Sequence, residues 1–198
     1  HIFADLFNKS FSTGVFPSAL KIAKILPIHK KGSKLECNNY RPISILSNLN
    51  KMLEKLIHKR IYSYLETNNI IYNLQFGFRK NYSTTLALLS LTDDINYQLD
   101  NGKFGCGIFI DFQKAFDTVD HSILLKKLSH YGIRGKANDW FQSYLSERKQ
   151  FVSINGFKSD LKEIQCGVPQ GSVLGPLLFL IYIYINDLYS SIKFCKVH

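Results

Sequence analysis

The chain has 198 residues, 45% of them apolar and 14% aromatic, with a formal charge of +10. That composition excludes a disordered or low-complexity polypeptide and provides for one sizeable core. Cysteines stand at 37, 106, 166 and 195 with no C-x-x-C pair, so neither a zinc site nor a disulfide framework is indicated. A reducing intracellular compartment, nucleus or cytoplasm, fits this usage, with no disulfide partner. No membrane partner is expected either, because the longest apolar run, residues 173–185, is too short to cross a bilayer. A chain that begins at His1 and stops at His198 reads as a segment of a longer open reading frame. Its charge is uneven: residues 1–60 hold eleven Lys or Arg against three acids. A basic stretch of this kind attracts polyanions through counterion release, and it equally suits a solvated surface that binds nothing specific.

Residues 1–18 place Ile2, Phe3, Leu6, Phe7 and Phe11 at helical spacing before Gly14 and Pro17, which predicts a short helix entering a turn. Residues 19–28 then read as a strand, and Pro27 assigns it to a sheet edge, where a missing N–H is tolerated. A basic turn, Lys30-Lys31-Gly32-Ser33-Lys34, leads through a loop to a second strand at residues 40–46. The two form a hairpin tipped with cations. An ammonium from Lys30 and a guanidinium from Arg41 on facing strands could grip a triphosphate, although lysines crowd many solvated turns.

The strongest helical pattern covers residues 47–67, with a Ser47 cap, an Asn68-Asn69 exit and apolar residues on one face. Lys51, Lys55, Lys59 and Arg60 on the other face suit either a nucleic-acid backbone or open solvent. Residues 74–85 interleave Phe76, Phe78 and Tyr82 with Arg79 and Lys80, an arrangement that can stack single-stranded bases beside phosphate-seeking cations; the rings also suit a core. A helix capped at Ser83 runs to Leu99, and Asn101-Gly102 turns the chain.

The next stretch organises the rest. Ile108, Phe109 and Ile110 form a continuous apolar strip that predicts a buried strand, ending abruptly in Asp111. A carboxylate in that position must be hydrogen-bonded, solvated or bound to a cation. Phe116 follows across a Gln-Lys-Ala turn, where it can fold back beside whatever Asp111 holds. Asp117 and Asp120 read as turn and cap residues, Asp120 opening a helix at His121 or Ser122 that stops at Gly132. Residues 136–145 give another helix carrying Trp140, Phe141 and Tyr144. Residues 151–165, turning at Asn155-Gly156, read as a hairpin leading back toward the Asp111 strand. His121 and His130 read as surface or satisfied polar groups. Finally, Gly167-Val168-Pro169-Gln170-Gly171-Ser172-Val173-Leu174-Gly175-Pro176 lets the backbone approach a ligand closely, and the helix starting near Pro176 presents an N-terminus that favours phosphate.

Taken together, Asp-Phe-x-Lys-Ala-Phe-Asp-Thr-Val-Asp-His from Asp111, Asn-Tyr-Arg-Pro-Ile-Ser around Arg41, Gln-x-Gly-Phe-Arg from Gln75 and Gly-Val-Pro-Gln-Gly-Ser-x-Leu-Gly-Pro from Gly167 resemble reverse transcriptases of non-LTR retrotransposons, in order and over essentially the whole chain. The resemblance implies RNA-directed DNA synthesis with an RNA template, a DNA primer, deoxynucleoside triphosphates and two Mg2+ ions. It implies Asp111 and the Phe112 carbonyl as metal ligands, with Asp111 the catalytic carboxylate. Phe116 would be a steric gate against a 2′-hydroxyl, and Lys30 and Arg41 would contact phosphates, with Lys31 an alternative to Lys30. Gln170 would stand at the nucleotide and template, and Gln75, Gly77, Phe78 and Arg79 at the template.

The implied fold is α+β, the fingers and most of the palm of a right-hand polymerase, with helices on a small antiparallel sheet. Residues 1–103 would be mainly fingers, 104–120 and 163–198 palm, and 121–162 a helical connection and hairpin.

Two departures stand out. The family reads Leu-Ile-Tyr-Ile-Asn-Asp-Leu where this chain has an extra Ile-Tyr between Leu180 and Leu188, and two residues rotate a helix by roughly 200°. The family's aromatic-x-Asp-Asp hairpin is absent from the 198 residues, so half of a two-metal cage is missing and this segment alone is expected not to polymerise. A catalytically dead nucleic-acid-binding remnant is the alternative.

Overall fold

The structure, a computed structural model, describes residues 1–183. The extra Ile-Tyr, Asn186, Asp187, Cys195 and the last part of the expected palm therefore lie at least partly outside the described residues. The helices are α1 (Ile2–Thr13), α2 (Asn48–Thr67), α3 (Thr84–Asp100), α4 (His121–His130), α5 (Lys136–Leu145) and α6 (Gly175–Ile183). The strands are β1 (Ile22–His29), β2 (Tyr40–Ile45), β3 (Lys149–Ile154), β4 (Phe157–Lys158) and β5 (Lys162–Glu163).

Local chemistry sets three of the six described helix starts. Ser47 accepts from the Asn50 N–H, Ser83 from Leu86 and Asp120 from Ile123, each satisfying a donor that an α-helix leaves unpaired in its first turn. At the end of α1, Gly14 takes φ 70°, and a Cβ there would sit 3.0 Å from Asp139 Cβ and 3.1 Å from Lys136 O. Glycine is thus what lets α1 close onto α5.

The sheet runs β2-β1-β3-β4, with β5 also on β3. It is mixed rather than antiparallel. β1 and β2 make the expected antiparallel hairpin, but β3 joins β1 in parallel, Ile22 opposite Lys149 through Ile25 opposite Val152. The reason is connectivity: more than a hundred residues separate β1 from β3, enough for the long crossover that parallel pairing needs. The hairpin at Asn155-Gly156 forms, with φ of 49° and 86° suited to a tight turn, but it docks on β1 and not on the Asp111 segment.

Pro27 consequently lies in a central strand. It is accommodated because β3 pairs only with Ile22–Ile25, before the proline, and because Pro27 faces Pro42. The Ser44 N–H points away from β1 to Gln170 O, so Pro42, two residues earlier, is in the same outward phase and neither proline removes a β1–β2 ladder bond.

The core lies among α1, α2, α4, α5 and α6. Leu53 and Leu65 of α2, Leu124 and Leu128 of α4, Trp140 and Tyr144 of α5, and Leu177 and Leu178 of α6 are buried together with Phe16. Trp140 and Tyr144 stack at 5.5 Å, Phe16 packs edge-on against both rings, and the Trp140 indole N–H donates to Ser10 Oγ at 3.0 Å. Burying one such Leu side chain contributes roughly 2 kcal/mol. Ala23, Ile25 and Leu46 form a second, smaller cluster at the sheet.

The predicted strand over Ile108–Ile110 is the principal correction. Residues 103–112 carry no regular structure, and Ile108, Phe109 and Ile110 are 62–86% exposed. A strand exists only through a partner's backbone groups, and no described strand pairs with this one.

Candidate functional site

A cleft of about 1050 Å³ opens between the β1–β2 hairpin, the turn at residues 114–117, the end of β3 and the turn at Gln170. Lys30, Arg41, Phe116 and Gln170, drawn from four separate stretches of sequence, all line it. Lys31 does not, as expected from the alternation of neighbouring side chains along an extended chain. The hairpin mouth is held by Lys30 N donating to Asn39 O at 2.8 Å.

Three further charged residues on the wall were not assigned to a site from the sequence: Lys34, Lys114 and Asp117. Lys114 adopts φ 51° in the tight turn and reaches toward Asn38 Oδ1 at 3.5 Å. Asp117, read as a simple turn residue, faces the cations. Desolvation pushes its carboxyl above the ordinary value, while Lys114 and Lys30 pull it down. A signal was present in that Lys114 and Asp117 flank Phe116 in the sequence, but only the folded turn shows that both border the same cleft.

Phe116 is supported from below. Its ring stacks on Phe179 of α6 with centroids 4.6 Å apart, and Phe78 stands edge-on to both at 6.0 and 6.4 Å. The cleft and the 74–85 segment are thereby joined through Phe78. Gln75, which donates to Gly77 O at 3.0 Å, stands with Gly77 and Arg79 outside the cleft wall.

Arg79 is fully engaged internally. It makes a two-pronged bond to Glu66 at 3.1 and 2.8 Å, donates to Tyr72 O and lies over the Tyr82 ring. These hydrogen bonds hold the Glu66 carboxyl below its ordinary value. The guanidinium thus staples the loop at residues 72–82 to the end of α2.

The turn carrying Gln170 is fixed on every side. Val168 N donates to Phe116 O at 2.8 Å, Gly167 N to Val119 O at 2.7 Å and Ser44 N to Gln170 O at 2.7 Å. His121 Nε2 meets Gly167 O at 2.7 Å, so this histidine is a satisfied polar group. Gly171 has φ 115°, and a Cβ there would lie 2.7 Å from Ser44 O. No other residue allows the turn this close to β2.

The N-terminus of α6 does not serve phosphate as the sequence suggested. Ser172 Oγ accepts from Gly175 N, and the Glu54 carboxylate accepts from Val173 N at 2.6 Å and Leu174 N at 3.4 Å. Those donors are already satisfied, which removes their attraction for an anion.

Asp111 and Phe112 are not brought to the cleft. Both are exposed on the irregular 103–112 segment, and among the described residues no three His, Cys, Asp or Glu side chains converge to hold a metal ion. Cys37, Cys106 and Cys166 are free, and no described helix is long and apolar enough to cross a membrane.

Residues 28–195 match the family model described as reverse transcriptase (RNA-dependent DNA polymerase). The RNA-directed DNA polymerase from mobile element jockey of Drosophila melanogaster is 38% identical over 180 residues, 90% of this chain and 20% of that protein. The probable RNA-directed DNA polymerase from transposon BS of the same species is 37% identical over 186 residues, again 90% of this chain and 20% of the relative. The Pol polyprotein from type-1 retrotransposable element R2 of Popillia japonica is 28% identical over 167 residues, 84% of this chain and 23% of that protein. The chain spans about a fifth of the length of the curated relatives it matches.

Proposed function

The chain belongs to the reverse transcriptase (RNA-dependent DNA polymerase) family, and from that premise we propose that it forms the nucleotide-binding part of an RNA-directed DNA polymerase of a non-LTR retrotransposon. The observation that supports this most is the convergence of Lys30, Arg41, Phe116 and Gln170 on one cleft.

In this reading Arg41 and Lys30 hold the triphosphate of the incoming nucleotide, the planar fork of Arg41 fixing orientation and the mobile ammonium adding charge. Phe116, backed by Phe179, lies under the sugar and excludes a 2′-hydroxyl by contact. Gln170, held to β2 through its own carbonyl, meets the nascent base pair. The segment with Gln75, Gly77 and Phe78 borders the RNA template, and Arg79 acts there by stapling the loop.

The α+β fold corresponds to the fingers (residues 1–103) and most of the palm (104–120 and 163–198) of a right-hand polymerase, with 121–162 as the connection. RNA template, DNA primer and deoxynucleoside triphosphates are the proposed partners.

Reverse transcriptases use divalent metal ions. The resemblance implies two Mg2+ ions at Asp111 and the Phe112 carbonyl, and the described residues do not complete such a site: no three His, Cys, Asp or Glu side chains converge among them. That same mismatch is what favours the second reading, a nucleic-acid-binding remnant without turnover.

The test is primer extension on an RNA template by the full-length polypeptide that carries this chain. Arg41→Ala should raise the KM for deoxynucleotides about tenfold, equivalent to roughly 1.4 kcal/mol of lost binding. An unchanged KM would overturn the proposal, and absence of metal-dependent turnover would select the remnant. Phe116→Val should admit ribonucleotides; unchanged sugar selectivity removes the gate assignment.

A further inference from the structure

Glu54 has 0% exposure, and nothing in the nucleotide site as described so far uses it. It projects from α2 into the helical core, where a carboxylate is costly unless every lone pair is used. Here its oxygens are used by donors alone: Tyr144 Oη at 2.9 Å on one oxygen, Val173 N at 2.6 Å and Leu174 N at 3.4 Å on the other. Burial pushes this carboxyl up, while the bonds from Val173, Tyr144 and Leu174, and the charge of Arg148, pull it back down.

Arg148 is equally buried. It donates to Tyr144 O at 3.2 Å and lies over the Tyr144 ring at 4.7 Å, bringing a compensating charge to the cluster. The arrangement links three regions distant in sequence: α2, the α5–β3 corner and the turn at residues 170–174.

We infer that Glu54 is a positioning residue for Gln170, clamping the turn at residues 170–174 to α2 and thereby setting the distance between Gln170 and Arg41 across the cleft. The inference rests on the nucleotide-site reading above. Gly167 and Val168 are held by Val119 and Phe116, whereas the anchors of residues 170–174 described here come from one continuous piece of chain. Ser44 of β2 holds Gln170 O, and Glu54 of α2 holds the two N–H groups three and four residues later. Only Leu46 and Ser47 separate β2 from α2, and Arg41 lies on that same β2. The phosphate side and the base-pair side of the cleft are therefore referred to one rigid frame.

The experiment measures deoxynucleotide KM and kcat in primer extension by the full-length polypeptide, alongside thermal denaturation. Glu54→Gln keeps the shape but removes the charge that makes these hydrogen bonds strong. It should raise KM about fivefold to tenfold with kcat within about threefold, because the loss falls on placement of the nucleotide. In a Gln170→Ala background the same substitution should change KM less than about twofold, since residues acting through one another are not additive. Leu128→Ala, a buried change in α4 away from the turn, should lower the Tm and leave KM unmoved.

If Glu54→Gln prevents folding, Tyr144→Phe removes one hydroxyl from the same carboxylate and enters the same cycle, with a smaller rise expected. Equal KM effects with and without the Gln170 side chain would overturn the inference. So would a Glu54→Gln protein with lowered Tm and wild-type KM. If Arg41→Ala raises KM and Glu54→Gln does not, only the clamp is wrong; if Arg41→Ala also has no effect, the nucleotide-site reading falls and takes the clamp with it.

Discussion

The helical layer behind the cleft and the segment from α3 through residue 112 contain similar proportions of large apolar side chains and meet opposite fates. In α5, Trp140, Phe141, Tyr144 and Leu145 are all buried, whereas α3 buries none of its residues and leaves Leu88, Leu89 and Leu99 more than half exposed. Within the exposed region a second contrast is more instructive. α3 forms, because a helix satisfies its own backbone. The apolar strip at Ile108–Ile110 does not form a strand, because a strand's hydrogen bonds belong to its neighbour. Apolar content therefore specifies a tendency to be buried; the element that results depends on whether its hydrogen bonds are local.

The largest expected effect that would break this comparison comes from its packed side. Trp140→Ala removes the ring against which Phe16, Phe11 and Tyr144 pack, and should lower stability by about 3–5 kcal/mol in urea denaturation. Leu88→Ala on α3 should change it by less than about 0.5 kcal/mol. Comparable losses at the two sites would show that α3 is packed after all.

A middle-sized effect is expected where the packed layer meets the cleft. Gly171→Ala forces a Cβ into Ser44 O at a φ of 115° and should cost about 1–3 kcal/mol. Because Gln170 moves with the turn, this variant should also raise the deoxynucleotide KM, which separates it from Trp140→Ala.

The smallest effect sharpens the comparison at the edge of the packed layer. Arg79 holds Glu66 below its ordinary carboxyl value of 4.5. A carboxyl with a depressed folded value adds stability that is complete above its unfolded value and is lost as pH falls through the folded one. Glu66→Gln should therefore cost about 0.5–1 kcal/mol at neutral pH, Glu66 being partly exposed. The difference in Tm from the parent should shrink as pH is lowered from about 5 toward 3, tracing the range below the ordinary value. A pH-independent difference would assign the loss to packing instead.

Much of this was legible because the signals were local. Ser47, Ser83 and Asp120 announced their helices, and the aromatic residues read on α5 are all buried; on α2 the apolar spacing found Leu53 and Leu65, but Met52 and Leu56 are exposed and the polar Asn50 and Glu54 are buried instead. Three motif stretches pointed to Arg41, Phe116 and Gln170 and the basic turn to Lys30, and the fold gathers these four in one cleft while the stretch from Gln75 and Asp111 stay off its wall. The unread features all needed a second element. Nothing in the sequence singled out Glu54; its role comes from Tyr144, Val173 and Leu174 closing around it. Arg79, read as a template contact, is taken up by Glu66, and Asp117 looked like a turn residue until the hairpin cations faced it.

The sequence by itself determined the family, the helix boundaries and the residue types at the cleft, because caps, periodicity and motif spacing act over a few residues. Only the tertiary structure decided that the sheet is mixed, that the 108–110 strip is unpaired, that the donors at the start of α6 are closed to phosphate and that one buried carboxylate ties the Gln170 turn to α2. Those outcomes depend on which distant backbone groups become neighbours, and hydrogen bonds between residues more than a hundred positions apart leave no periodic trace in the chain.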